Sequence, residues 1–145
     1  IQLYQKHFGL KASIARFYNV YGPNQLTEGG YTTLIGKWIN NIQKGIPCEI
    51  YGDGSKRRDF THVDDIVDAL IKIMYSKSYN KIFELGRGKN HSVLDVAKMF
   101  NINPVFRKNK PGEASETLAN ISLAKDRLGW YPKINLEDYI KNLKL

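Results

Sequence analysis

Apolar residues recur along this chain in two rhythms. Some stretches space them three and four apart, others crowd them into short runs, and the changes fall on glycine, proline and asparagine. The opening IQLYQKHFG reads as the end of a helix stopped by Gly9. Residues 12–17, small and β-branched around Arg16, predict a short buried strand, with 19–23 as its exit turn and 24–30 as loop. Across 31–44, Leu34, Ile35, Trp38, Ile39 and Ile42 form one stripe that Gly45 ends, which predicts an amphipathic helix. Strands are expected at 48–51 and 58–63, joined as a hairpin by Asp53-Gly54, since glycine tolerates positive φ and aspartate bonds its own backbone. Ile66, Val67, Ala69, Leu70, Ile73 and Met74 keep helical spacing through 64–76.

Residues 81–85 read as a strand and Gly86-Arg87-Gly88 as a loop. Ser92 caps a helix carrying Val93, Val96, Ala97, Met99 and Phe100, closed by Asn103-Pro104, and 104–107 suit a final strand. Helices at 122–128 and 136–143 flank a Gly129-Trp130-Tyr131-Pro132 turn. Strands and helices alternate while the unusual residues sit in loops, so the class is α/β.

The 145 residues suit about one domain, and 42% hydrophobic with 12% aromatic is enough for a core. No apolar run approaches the roughly 20 residues of a bilayer span and no charged-then-apolar leader opens the sequence, so no membrane association and a cytoplasmic setting are expected. Cys48 is alone, which excludes a disulfide frame, and His7, His62 and His91 lack ligand-like spacing, so no metal site is expected. The chain opens on Ile1, on what reads as a helix end, and is expected to be a piece of something longer.

Charge narrows the partner. A net +8, from 22 basic and 14 acidic residues, asks for an anion. The basic residues cluster only at 56–58 and 107–110, whereas a nucleic-acid groove presents a continuous stripe, so a diphosphate pocket is the more economical demand. A helix-turn-helix reading of SVLDVAKMFNINPVFR (92–107) would start its recognition helix near Asn103 and meet Pro111-Gly112 within two turns, too short to read several bases. No nucleic-acid partner is expected.

The densest stretch is YGDGSKRRDFTHVDD at 51–65. In an extended segment neighbouring side chains point to opposite faces, so Arg57 and Arg58 cannot share a pocket. One is expected in solvent, the other as a planar five-donor fork for phosphate or carboxylate. Asp64 and Asp65 open a helix, where capping is the commoner role for aspartate than catalysis.

RFYNVYGP at 16–23, KGIP at 44–47, IYGDGSKRRDFTHVDD at 50–65 and KPGEASETLANISLAKDRLGWYPKINLEDYI at 110–140 together resemble the carboxy-terminal half of the extended short-chain dehydrogenases that act on nucleotide-diphosphate sugars, in the manner of UDP-glucose 4-epimerase. The resemblance implies a Rossmann-type fragment: the last sheet strands plus a small substrate-binding subdomain. Residues 1–23 would end the cofactor-domain core, and 24–145 would form mainly the sugar-nucleotide subdomain, with a returning core segment near 60–90. It further implies an NAD(P)-dependent epimerase or dehydratase, an isomerase or lyase, as the parent. NAD or NADP would be held mainly by an amino-terminal domain, and the parent would be a homodimer. The family's glycine fingerprint and Tyr-x-x-x-Lys pair are not among these residues; Tyr4 is followed by His7 and Phe8, not by a lysine at the fourth place. Catalytic residues are therefore expected upstream of Ile1, and this piece alone should be inactive. A free-standing, non-catalytic sugar-nucleotide-binding domain is the alternative.

The resemblance also implies roles. Asn19 would bond the substrate's phosphate, and the Phe17-Tyr18 backbone would pass the nicotinamide. Thr33 and Leu34 would lie beside base and phosphate, although Leu34 is also core by periodicity. Glu49 and Tyr51 would form the strand edge against the base, and Arg58 would take the diphosphate. Lys110 stands where relatives carry arginine, ahead of Pro111-Gly112-Glu113, with Glu113 also on the substrate side and Arg107 as a possible substitute. His62 for a usual tyrosine and Asn120 for a usual aspartate are read as structural.

Overall fold

The computed structural model describes residues 1–145. Helix α1 (Gln2–Phe8) stops where Gly9 turns left-handed at φ 67. Strands β1 (Ile14–Phe17) and β2 (Val20–Tyr21) follow, then helix α2 (Leu34–Gln43), strands β3 (Glu49–Tyr51), β4 (Arg57–Asp59) and β5 (Thr61–His62), and helix α3 (Val63–Tyr75). Strand β6 (Ile82–Leu85), strand β7 (Asn90–Ser92), helix α4 (Val93–Met99), strand β8 (Val105–Arg107) and helices α5 (Ser122–Leu128) and α6 (Leu136–Lys141) complete the chain.

The strands form four two-stranded ladders. β1 pairs with β6, β2 with β5 and β3 with β8, all parallel, while β4 and β7 are antiparallel. Parallel neighbours need a crossover, and α3 supplies one on the way to β6 as α4 does on the way to β8. The architecture is α/β.

Two apolar clusters result. One gathers Trp38 and Ile35 of α2, Ile50, Phe60, Val96 of α4 and Leu136 of α6. The other gathers Ile66 and Ala69 of α3, Phe83 and Leu85 of β6, Ala124 of α5 and Trp130. The outer stripe of α3, Val67, Leu70, Ile71, Met74 and Tyr75, is exposed. No helix is long and apolar enough to cross a membrane.

Several expectations are corrected. Asp53-Gly54 makes a turn but no hairpin, because β3 pairs with β8 and β4 with β7. Gly54, at φ 79, instead seats on the start of α4, its carbonyl accepting from Leu94 N at 3.1 Å, and this aims β4 away from β3. β1 is not buried: Arg16 and Phe17 are exposed and only its β6 edge is paired. α2 begins at Leu34 rather than near Tyr31, since Thr33 takes the N-cap and its Oγ1 accepts from Gly36 N at 3.3 Å. The expected strand over 58–63 breaks at Phe60 into β4 and β5.

The paired aspartates do not cap. His62 is the N-cap of α3, its Nδ1 accepting from Asp64 N at 3.2 Å. Asp64 is exposed, while buried Asp65 accepts from Lys133 N at 2.9 Å and Ile134 N at 3.0 Å, and its carbonyl takes the indole N–H of Trp130 at 3.0 Å. Asp65 thus ties the segment before α6 to α3. The helix-turn-helix reading falls too, since α4 is followed by β8, whose register with β3 occupies the place of a second helix.

Candidate functional site

A cavity of about 270 Å³ opens between α2, β3, β4 and the first residue of α4. Its apolar surface comes from Leu34, Ile35, Ile50, Phe60 and Val93. All but Val93 and Leu34 are fully buried, so the floor is rigid core.

The polar surface follows from alternation along β4. Lys56 and Arg58 line the cavity, while Arg57 turns to the other side and binds Asn90, Nε to Oδ1 at 2.8 Å and Nη2 to the carbonyl at 3.0 Å. Arg57 is the arginine of the pair that faces solvent, its side chain 44% exposed, and it also fastens β4 to β7. Arg58 gives one N–H to the Arg57 carbonyl at 2.9 Å and pairs with no carboxylate, which leaves most of its fork unspent.

Beneath it, Asp59 is fully buried. Its carboxylate accepts from Arg87 N at 2.6 Å, Gly88 N at 3.0 Å and Ala119 N at 3.0 Å. Gly86 makes this approach possible, since a Cβ there would lie 2.3 Å from Ala119 Cβ and 2.7 Å from Asp59 Oδ2. The Gly86-Arg87-Gly88 loop read in the sequence is thus wrapped on a carboxylate.

Asn19 enters the cavity from the β1–β2 junction with φ 31. Its side-chain amide donates to Asp59 O at 2.9 Å and Thr117 Oγ1 at 3.0 Å. Both N–H groups are spent within the protein, and a phosphate there would have to draw one away. Thr33 also lines the cavity, beside its capping role.

On the β3 side, Glu49 accepts from Arg107 Nε at 2.9 Å and the Tyr51 hydroxyl at 3.2 Å, with Lys37 Nζ 3.8 Å away. The Arg107 hydrogen bond first, then that of Tyr51, holds the carboxyl below its ordinary value against partial desolvation. Glu113 is held low in the same way by Lys56, whose Nζ reaches it at 2.6 Å. Five cations, Lys37, Lys56, Arg58, Arg107 and Lys110, thus surround two carboxylates in and beside the cavity.

Of the expected binding residues, Asn19, Thr33, Leu34, Glu49, Tyr51, Arg58 and Glu113 are brought together on this wall. Lys110 is not; its ammonium sits 3.8 Å from the centre of the Tyr51 ring, outside the lining. Arg107 cannot stand in as a free fork, being engaged by Glu49. Phe17 and Tyr18 also lie outside, at the carboxyl end of β1, where Phe17 is half-exposed. His62 is buried between Tyr21 and Tyr139, and the Asn120 side chain accepts from Ser122 N at 3.1 Å, both structural roles. Lys56 was missed, although a period of two from Arg58 already places it on the same face. No group of three or more His, Cys, Asp or Glu is gathered that could hold a metal.

Residues 1–86 match the model of the NAD dependent epimerase/dehydratase family. The chain is 33% identical over 149 residues to a putative UDP-glucose 4-epimerase of Methanocaldococcus jannaschii, covering 99% of this chain and 48% of that protein. It is similar to the crystal structure of Thermotoga maritima UDP-glucose 4-epimerase with UDP-glucose, TM-score 0.89, 30% identity, 97% of this chain and 47% of that one. It is also similar to Bacillus cereus UDP-glucuronic acid 4-epimerase in complex with UDP-glucuronic acid and NAD, TM-score 0.84, 28% identity, 97% and 46%. The chain spans about half the length of these relatives or less.

Proposed function

The chain belongs to the NAD dependent epimerase/dehydratase family, and we propose that it is the substrate-binding portion of an enzyme that epimerises or dehydrates a nucleotide-diphosphate sugar. The observation that carries this reading is Arg58, an unpaired guanidinium beside a rigid apolar floor. A planar fork of this kind suits phosphate oxygens. The apolar stretch from Leu34 to Tyr51 suits a flat base, and the surplus of cations suits the two negative charges of a diphosphate.

The nicotinamide dinucleotide would meet this chain only at the carboxyl end of β1. Ligands of open parallel sheets collect at that end of the strands, and the half-exposed Phe17 ring there fits the flat face of a nicotinamide. When bound, the dinucleotide supplies reversible hydride acceptance at the sugar. This chain's own residues do the holding. Arg58 anchors the diphosphate, Leu34 and Tyr51 flank the base, and Asn19, two residues beyond Phe17, stands where the sugar turns toward the cofactor. Remote anchoring of this sort positions the reacting carbon. The 145 residues contain no Tyr-x-x-x-Lys pair and no Gly-x-Gly-x-x-Gly, so the chain by itself binds without turning substrate over.

Calorimetric titration with UDP, UDP-glucose, dTDP-glucose and GDP-mannose, repeated on Arg58→Ala, tests this. Saturable binding of one of them, weakened by about 1–3 kcal/mol without Arg58, is expected for the loss of a charged hydrogen-bond donor. Binding indifferent to Arg58, or no binding by the chain or by a longer parent, would sink the reading.

A further inference from the structure

Lys56 occupies a position that the fold builds with care. It lines the cavity, and its side chain is only 14% exposed. Its Nζ donates to Asn109 Oδ1 and to Glu113 Oε2, both at 2.6 Å. An ammonium has three donors, so one is left without a protein partner.

Alternation along an extended segment puts Lys56 and Arg58 on one face and Arg57 on the other, which the Arg57–Asn90 bonds bear out. The two cavity cations are therefore two residues apart, about 6–7 Å along a strand at the usual rise per residue. That separation suits two phosphoryl groups in series better than one. The Glu113 partner does not close the pair off, because the same carboxylate also feels Arg58 and Lys110.

We propose that Lys56 is a second diphosphate-binding cation, acting with Arg58 as a two-point grip that distinguishes a nucleoside diphosphate from a monophosphate. The proposal rests on the sugar-nucleotide reading above. Arg58 supplies the directional fork, and Lys56 supplies a point charge whose position is fixed by Asn109 and Glu113.

The test is calorimetric titration of the chain with UDP and UMP, dTDP and dTMP, and GDP and GMP, following the pair that binds. The wild-type chain is expected to prefer the diphosphate by about tenfold or more, the worth of one charge-assisted hydrogen bond. Lys56→Met should narrow the preference for diphosphate over monophosphate by about that factor, with a far-UV circular dichroism spectrum like that of the wild type reporting a folded protein. Lys56→Gln, which keeps a donor for Glu113 while losing the charge, should behave like Lys56→Met, and Lys56→Arg should retain the preference. A preference that survives Lys56→Met and Lys56→Gln overturns the proposal while leaving the cavity assignment intact. Failure of every nucleotide to bind either the wild-type chain or a longer parent overturns both.

Discussion

Arg58 and Asp59 are neighbours on β4 and face opposite sides of it. The guanidinium lines the cavity without a carboxylate partner, while the carboxylate is buried among the backbone N–H groups of Arg87, Gly88 and Ala119. One face of a three-residue strand lines the cavity, and the other ties the Arg87-Gly88 loop and Ala119 to one point.

Substitution should therefore separate binding from stability at adjacent positions. Asp59→Ala leaves three N–H groups without their acceptor and is expected to cost about 3 kcal/mol or more, at roughly 1–3 kcal/mol for each group left unsatisfied. Arg58→Ala is expected to stay within about 0.5 kcal/mol of the parent. Urea unfolding of both variants checks the contrast; equal destabilisation would contradict it.

Gly86→Ala should fail in a distinct way. The new methyl meets Ala119 Cβ at 2.3 Å and Asp59 Oδ2 at 2.7 Å, neither of them the end of a flexible side chain. Overpacking of this kind costs about 1–3 kcal/mol. Faster amide exchange at Arg87, Gly88 and Ala119 is the signature to look for, with the amides of α2 unaffected.

Asp65→Ala should loosen the chain before α6. It removes the acceptor for Lys133 N and Ile134 N, and a loss of about 2–4 kcal/mol is expected for two N–H groups. Trp130, buried beside it with its N–H on the Asp65 carbonyl, reports the change. Its fluorescence should shift to the red, whereas an unchanged spectrum with unchanged stability would refute the staple.

His91 should make stability fall on mild acidification. Burial first, with Lys89 and Arg57 adding to it against Asp95 and Glu137, lowers its pKa below the ordinary 6.5. The folded state then binds fewer protons than the unfolded one, so this contribution is fully present above about 6.5 and declines as pH drops toward the folded value. His91→Gln should flatten that part of the stability-against-pH curve; an unaltered slope just below pH 6.5 would contradict the assignment.

Local signals carried much of the fold. The stripe of α2, Gly9 as a stop, and the Ser92 cap, which proves to be a reciprocal box with Asp95, all act within one or two turns and can be read from spacing. β2 and β7 went unread because two or three residues hold no period. Asp65 passed for a cap because its true partners lie 68 and 69 residues away. The site divides in the same manner. Alternation put Arg57 and Arg58 apart, and applied one residue earlier it would also have found Lys56. The diversion of Lys110 onto Tyr51 depends on how β3 and the chain after β8 meet, which no spacing encodes.

The half-paired strand β1 has a colloidal consequence. Its outer edge offers unused N–H and C=O groups to any other strand, and α3 adds an exposed apolar stripe. Association through these faces is opposed by mutual repulsion from the net charge of +8. Salt screens that repulsion over about 10 Å at 0.1 M. The chain should therefore be handled most easily at low ionic strength, with light scattering rising as sodium chloride is added.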